Sequence, residues 1–150
     1  MTMTKNDPVF YMIKALDAAA QSGKDLPVGC VIVDDKNNII ASSCNKKELM
    51  QDPTAHAEVL ALREAAQKKG NWRLENCTLF VTLEPCPMCA WAILNARIKR
   101  VYYGASDLNY GALGSKLNLA PLINSDVEIY GGILEEECLN LLKGYFKKIR

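Results

Sequence analysis

Histidine is almost missing from this chain: of 150 residues, only His56 is one. Charge of one sign is missing too. Eighteen Lys and Arg face seventeen Asp and Glu, a net charge of +1 that excludes a globally basic nucleic-acid binder but leaves room for local patches. Lys46-Lys47, Arg97-Ile98-Lys99-Arg100 and the set Lys143, Lys147, Lys148 and Arg150 are candidate patches. No apolar run approaches the roughly 18 residues that cross a bilayer, so no membrane partner is expected. The first residues, Met1 to Asp7, hold no apolar stretch of the secretory type, which predicts a cytoplasmic protein.

Cysteine, by contrast, is not scarce. Six of them without a secretory leader point to a reducing compartment, where a Cys-x-x-Cys pair is metal-binding or redox-active in preference to a structural disulfide. That pair is present as Cys86-Pro87-Met88-Cys89. Cys30, Cys44, Cys77 and Cys138 read as small core residues. The apolar fraction, 49%, and the length suit one domain over residues 1–150 with a real core.

The order of elements is α-β-β-α-β-α-β-loop-β-α. Residues 7–22 form an amphipathic helix, with Asp7 as cap and Pro8 at its first position. Pro27–Val33 is a strand covered on both faces, and after the turn Asp34–Asn38 the strand Ile39–Cys44 returns as a hairpin. Asp52-Pro53 is expected to open a second helix ending at Lys68-Lys69-Gly70. Cys77–Leu83 is the third strand, Pro87 starts the third helix, Arg100–Tyr103 and Val127–Tyr130 are strands, and Glu135–Lys148 is the last helix. The segment 104–125 is glycine-rich, with at most a short helix near Lys116–Leu119, and a connection of that length is usually functional. Helices packed on both faces of a mixed five-stranded sheet follow from this order.

His56, Cys86, Cys89 and Glu58 are the parts of a catalytic zinc site: three N and S ligands, a fourth position open to water, and a carboxylate able to move protons. His56 and Glu58 point about 200° apart on a helical wheel, so they do not share a face. They converge only if both lie in the first turn, leaning toward a ligand beyond the helix start. Cys86 and Cys89, three apart across a helix start, can meet on one metal, and the helix dipole favours thiolate there. A thioredoxin-like redox pair would account for neither His56 nor Glu58, and a structural zinc would want a fourth protein ligand.

The pattern His-x-Glu followed by Pro-Cys-x-x-Cys is the signature of zinc-dependent base deaminases. The blocks Asp52-Pro53-Thr54-Ala55-His56-Ala57-Glu58, Asn71-Trp72-Arg73-Leu74, Thr82-Leu83-Glu84-Pro85-Cys86-Pro87-Met88-Cys89-Ala90, Asn95-Ala96-Arg97-Ile98 and Gly111-Ala112-Leu113-Gly114-Ser115 resemble bacterial tRNA-specific adenosine deaminases of the cytidine/deoxycytidylate deaminase superfamily. The chain departs from that pattern at Trp91, where a small residue is usual, and at Ser125, where Asn-His is more common than Asn-Ser. The resemblance implies a cytidine-deaminase-like three-layer α/β/α sandwich, one Zn2+ per subunit, a homodimer, and a tRNA anticodon loop as partner. It implies deamination of adenosine to inosine at the wobble position. By matching positions it makes His56, Cys86 and Cys89 the metal ligands, Glu58 the proton shuttle between water, N1 and the leaving ammonia, and Asn45 and Asp107 substrate-binding. A deaminase of a free base or nucleoside (guanine, cytosine or cytidine) is the alternative, and an inert zinc-bound RNA-binding module is a third reading that Glu58 argues against.

Overall fold

Strand β1 (Gly29–Val33) is buried at every one of its five positions, because it has a neighbour on each side and a helical layer on each face. A computed structural model describes residues 7–149. Its sheet has the order β2-β1-β3-β4-β5. β2 (Ile39–Cys44) and β3 (Thr78–Leu83) both run antiparallel to β1, while β4 (Arg100–Ala105) and β5 (Glu128–Tyr130) continue parallel to β3. The sheet is therefore mixed and five-stranded, as the element order implies.

Strand alternation divides the core in two. Cys30 and Ile32 of β1, Leu79 and Val81 of β3 and Val101 of β4 meet helices α3 (Ala57–Lys69) and α4 (Pro87–Asn95) through Ala57, Ala61, Ala65, Ala90 and Ile93. Val31, Val33 and Phe80 point the other way and meet α1 (Pro8–Ala19) and α5 (Glu135–Lys148) through Tyr11, Met12, Ala15 and Cys138. Each fully buried aliphatic side chain in these two layers contributes about 1.5–3 kcal/mol of transfer free energy. Layers of helix, sheet and helix result. Gly29 is required where α1 crosses β1, since a Cβ would run into the backbone of Ala15 and Ala19.

Cys30, Cys44, Cys77 and Cys138 are free and buried, as small core residues should be. Strand ends move by one or two residues, β1 starting at Gly29 and β4 running on to Ala105, and three helices differ more from the sequence reading. The first helix ends at Ala19, three residues early, in successive turns through Ser22. The helix expected from Asp52-Pro53 begins only at Ala57. The Asp52 carboxylate is used by the amide and hydroxyl of Thr54 in a tight turn, and Pro53 to His56 remain outside the helix. A single helical turn, α2 (Lys47–Met50), precedes it. In the long connection the helical turn falls at Ala120–Ile123 instead of Lys116–Leu119, where Pro121 suits the start of a 3-10 turn. Arg150, of the C-terminal basic set, lies outside the described residues.

Candidate active site

Two helix starts meet at one edge of the sheet. His56 is the residue before α3 and Cys86 the residue before α4. Both have extended backbone, and neither spends its side chain on capping its helix. Each side chain is left free to point beyond the helix end. His56 Nδ1 lies 3.8 Å from Cys86 Sγ and 3.4 Å from Cys89 Sγ, and the three donor atoms all fall within 4.8 Å of one another. Tetrahedral bonds of about 2.0–2.3 Å place ligands roughly 3.5 Å apart, so this donor set fits zinc in number, type and spacing. Imidazole and thiolates disfavour Mg2+ or Ca2+. Among the described residues, no other His, Cys, Asp or Glu joins the cluster, so three protein ligands leave one position for a substrate water.

The thiols are unequal. A hydrogen bond from Cys89, with help from His56, pulls Cys86 down to about 4 against the effect of burial. Cys89 is pushed far up, first by that same bond and then by burial and the Glu58 charge. His56 is raised, chiefly by its bond to Cys86. Zinc binding would displace the remaining protons, as ligation of thiols and imidazole requires.

Glu58, the second residue of α3, is 4% exposed. Burial drives its carboxyl up to about 7, with the Cys86 charge adding to the rise and a backbone hydrogen bond and His56 opposing it. An acid poised near neutrality is suited to taking and returning protons at physiological pH. His56 at the N-cap and Glu58 at the second position of α3 both stand at the helix start, and both line the same cavity.

His56, Cys86 and Glu58 line a cavity of about 460 Å³, together with Asn45, Asp107 and Leu83 and with Lys24, Lys47, Tyr110 and Tyr145; Cys89 is buried behind them. Asn45 is fixed on both sides of its amide: Nδ2 donates to Leu26 O at 3.1 Å, and Oδ1 accepts from Ala57 N at 2.8 Å. It thus supplies the cap that His56 does not. One amide hydrogen and one lone pair remain for a ligand. Asp107 also lines the cavity, but its Oδ1 accepts from the amides of Asn109 and Tyr110, each at 3.0 Å, so half of this carboxylate shapes its own loop. Trp91, on α4, is 40% exposed; its indole is accommodated at the surface. Ser125 Oγ accepts from Val127 N at 3.2 Å, holding the turn into β5.

Sequence reasoning passes over Glu84. It is 2% exposed, and its carboxylate accepts from Asp107 N at 3.2 Å, from Leu113 N and Ser115 N at 3.1 Å each, and from the Ser115 hydroxyl. The available signal was an acid between a buried strand and Pro85, a position that must find donors or not be buried at all.

A sheet with this strand order, carrying N and S donors at two helix starts beside a buried carboxylate, defines a zinc-dependent hydrolytic deaminase. A family model of the cytidine and deoxycytidylate deaminase zinc-binding region matches residues 5–105. Within that class the chain belongs to the tRNA-specific adenosine deaminase family: the protein of that name from Haemophilus influenzae is 47% identical over 142 residues, covering 93% of this chain and 82% of the relative. A solved structure from a study of A-to-I editing by tRNA:A34 deaminases at the wobble position of transfer RNA superposes with a TM-score of 0.82 at 39% identity, covering 89% of this chain and 99% of that one. Guanine deaminase from Nitrosomonas europaea shares the fold, with a TM-score of 0.79 at 22% identity over 93% of this chain and 84% of that one.

Proposed function

We propose that this protein deaminates adenosine to inosine at the wobble position of a tRNA anticodon. The observation that carries the chemistry is the convergence of His56, Cys86 and Cys89 at a cavity that His56, Cys86 and the buried Glu58 line. The choice of substrate is supported by the Haemophilus influenzae relative at 47% identity.

In this reading His56, Cys86 and Cys89 hold zinc, which supplies the Lewis acidity that makes water a nucleophile near neutral pH. Glu58 takes a proton from the attacking water and delivers it to N1 of the adenine as C6 becomes tetrahedral. It then carries a second proton to the exocyclic nitrogen, and ammonia leaves. Asn45 meets the base edge with its remaining hydrogen and lone pair, and its two bonds to Leu26 and Ala57 hold it in place for that contact. Asp107 contacts the target nucleotide from the cavity rim with the oxygen its own loop does not use. Lys24 and Lys47 along the cavity suit phosphates, and Tyr110 and Tyr145 suit stacking on unpaired bases.

The subunits pair as a homodimer in this reading. An apolar groove of about 560 Å³ between α3 and α4, lined by Val59, Leu62, Ala66 and Ala92, with Trp72 beside it, supports such a contact. No described helix is long and apolar enough to cross a membrane; in this reading the enzyme works in the cytoplasm, on the tRNA there.

The test is incubation of the zinc-loaded protein with an anticodon stem-loop carrying adenosine at the wobble position, beside guanine, adenosine and cytidine, with products separated by chromatography. Inosine in the stem-loop, with little change in the free compounds, is expected. Deamination of a free base but not of the RNA would overturn the reading. Sedimentation equilibrium at micromolar concentration tests the dimer.

A further inference from the structure

The loop that faces the cavity beyond β4 is anchored on a buried carboxylate. Glu84 stands two residues before Cys86, yet among the described residues it is outside the metal cluster. All four of its hydrogen bonds go to the segment Asp107–Ser115: Oε1 accepts from Asp107 N and the Ser115 hydroxyl, and Oε2 from Leu113 N and Ser115 N. Gly111 closes over the carboxyl, where a Cβ would overlap both Glu84 and the Asp107 carbonyl. The neighbouring Pro85 carbonyl accepts from Ala112 N at 2.9 Å, so the segment is also stitched to the chain that leads to the zinc-type cysteines. Asp107 then orders the next tier through the amides of Asn109 and Tyr110. At the end of this chain of contacts Tyr110, 68% exposed, stands at the cavity.

We propose that Glu84 is a positioning residue for substrate: it sets the register of the loop Asp107–Ser115 and so places Asp107 and Tyr110 at the mouth of the cavity, without moving a proton in the reaction. The physical reason is the cost of an unpaired buried carboxylate. Every donor that compensates Glu84 comes from this one loop, so a slip by one residue would leave the carboxylate unsatisfied. The loop is thereby held to one conformation without forming a helix or strand. Because Glu84 and Cys86 lie on the same short connection from β3, the part of the site that recognises substrate is keyed to the part that holds the metal.

The inference rests on the reading of the site as a tRNA deaminase, and the experiment separates the two. Glu84→Gln keeps the volume but exchanges one acceptor oxygen for a donor that opposes the loop amides. Its zinc content should stay stoichiometric, KM for the anticodon stem-loop should rise roughly tenfold, and kcat should stay within about twofold, since misplacement of binding groups acts on substrate capture. Ser115→Ala removes one donor and should shift KM the same way by less, and the double variant should be no worse than Glu84→Gln alone. A fall in kcat at unchanged KM, or loss of zinc, would overturn the assignment. If Glu84→Gln does not fold, Ser115→Ala decides, unchanged KM counting against it. If the wild-type protein leaves the stem-loop untouched, the functional reading fails. The tether is then judged by hydrogen exchange at the amides of Leu113 and Ser115, where faster exchange in the zinc-replete variant upholds it and unchanged exchange overturns it.

Discussion

Replacing Glu58 by glutamine should make the metal-free protein more stable and the enzyme inactive, and the stability gain should depend on pH in a defined direction. The Glu58 carboxyl moves from 4.5 to about 7 on folding, mainly because it is buried. Below pH 4.5 it is protonated in the folded and unfolded chain alike and costs nothing. Between 4.5 and 7 the unfolded chain gives up its proton while the folded protein keeps it, so the penalty for folding grows with pH. Above 7 both states are ionised and the folded state carries the whole cost, roughly 3 kcal/mol at 1.36 kcal/mol for each tenfold change in proton affinity. Glutamine has the same shape and no charge to bury. Urea denaturation in the presence of a chelator should therefore find Glu58→Gln more stable than wild type by about 2–3 kcal/mol at pH 8, and by less than about 1 kcal/mol at pH 5. Adding zinc should narrow the gap at pH 8, because a cation beside the carboxylate compensates its charge. Turnover should fall by about 10² to 10⁴, the range of a lost proton carrier. An equal gap at both pH values, or a wild type that is the more stable at pH 8, would refute the assignment of a desolvated carboxylate.

Cys86→Ser should lose zinc, measured as metal per subunit by atomic emission after gel filtration; stoichiometric metal in the variant would mean the ligand set is wrong. Gly29→Ala should destabilise by about 1–3 kcal/mol, the scale of overpacking, because the new Cβ meets helix backbone that cannot rotate away; a thermal midpoint equal to wild type would contradict the close approach of α1 to β1. Asn45→Ala removes the acceptor for Ala57 N and should cost about 0.5–2 kcal/mol, as loss of a helix cap does, while KM for RNA rises. A variant with reduced stability but unchanged KM would reduce Asn45 to a structural role.

The architecture was legible because patterning and burial agree in the strands. The unbroken apolar run of β1 reads as doubly covered, and it is; the polar turn Asp34–Asn38 reads as a hairpin, and β1 and β2 pair through it. The metal-type residues were legible because one imidazole and two thiols at those spacings have few other uses. What escaped has a physical reason in each case. Asp52-Pro53 has the composition of a helix start, but the same carboxylate satisfies an Asx turn when a threonine follows two residues on. The four residues of α2 are too few to show a period. Glu84 is invisible to motif reading because three of its four donors are backbone amides 23 to 31 residues away, and amides carry no residue identity. Asn45 was expected at the base edge; that it also caps α3 could be found only once Leu26 and Ala57 were placed around it.

His56 and Cys86 are separated by 30 positions in the chain, and they meet only because β1 and β3 pair and α3 and α4 dock on one face of the sheet. Contacts of that sequence separation form late, after the entropy of closing the intervening chain has been overcome. Tight metal capture is therefore a readout of completed assembly, and during refolding a zinc-sensitive dye should lose its signal together with the last burial of the core, not with the first appearance of helix.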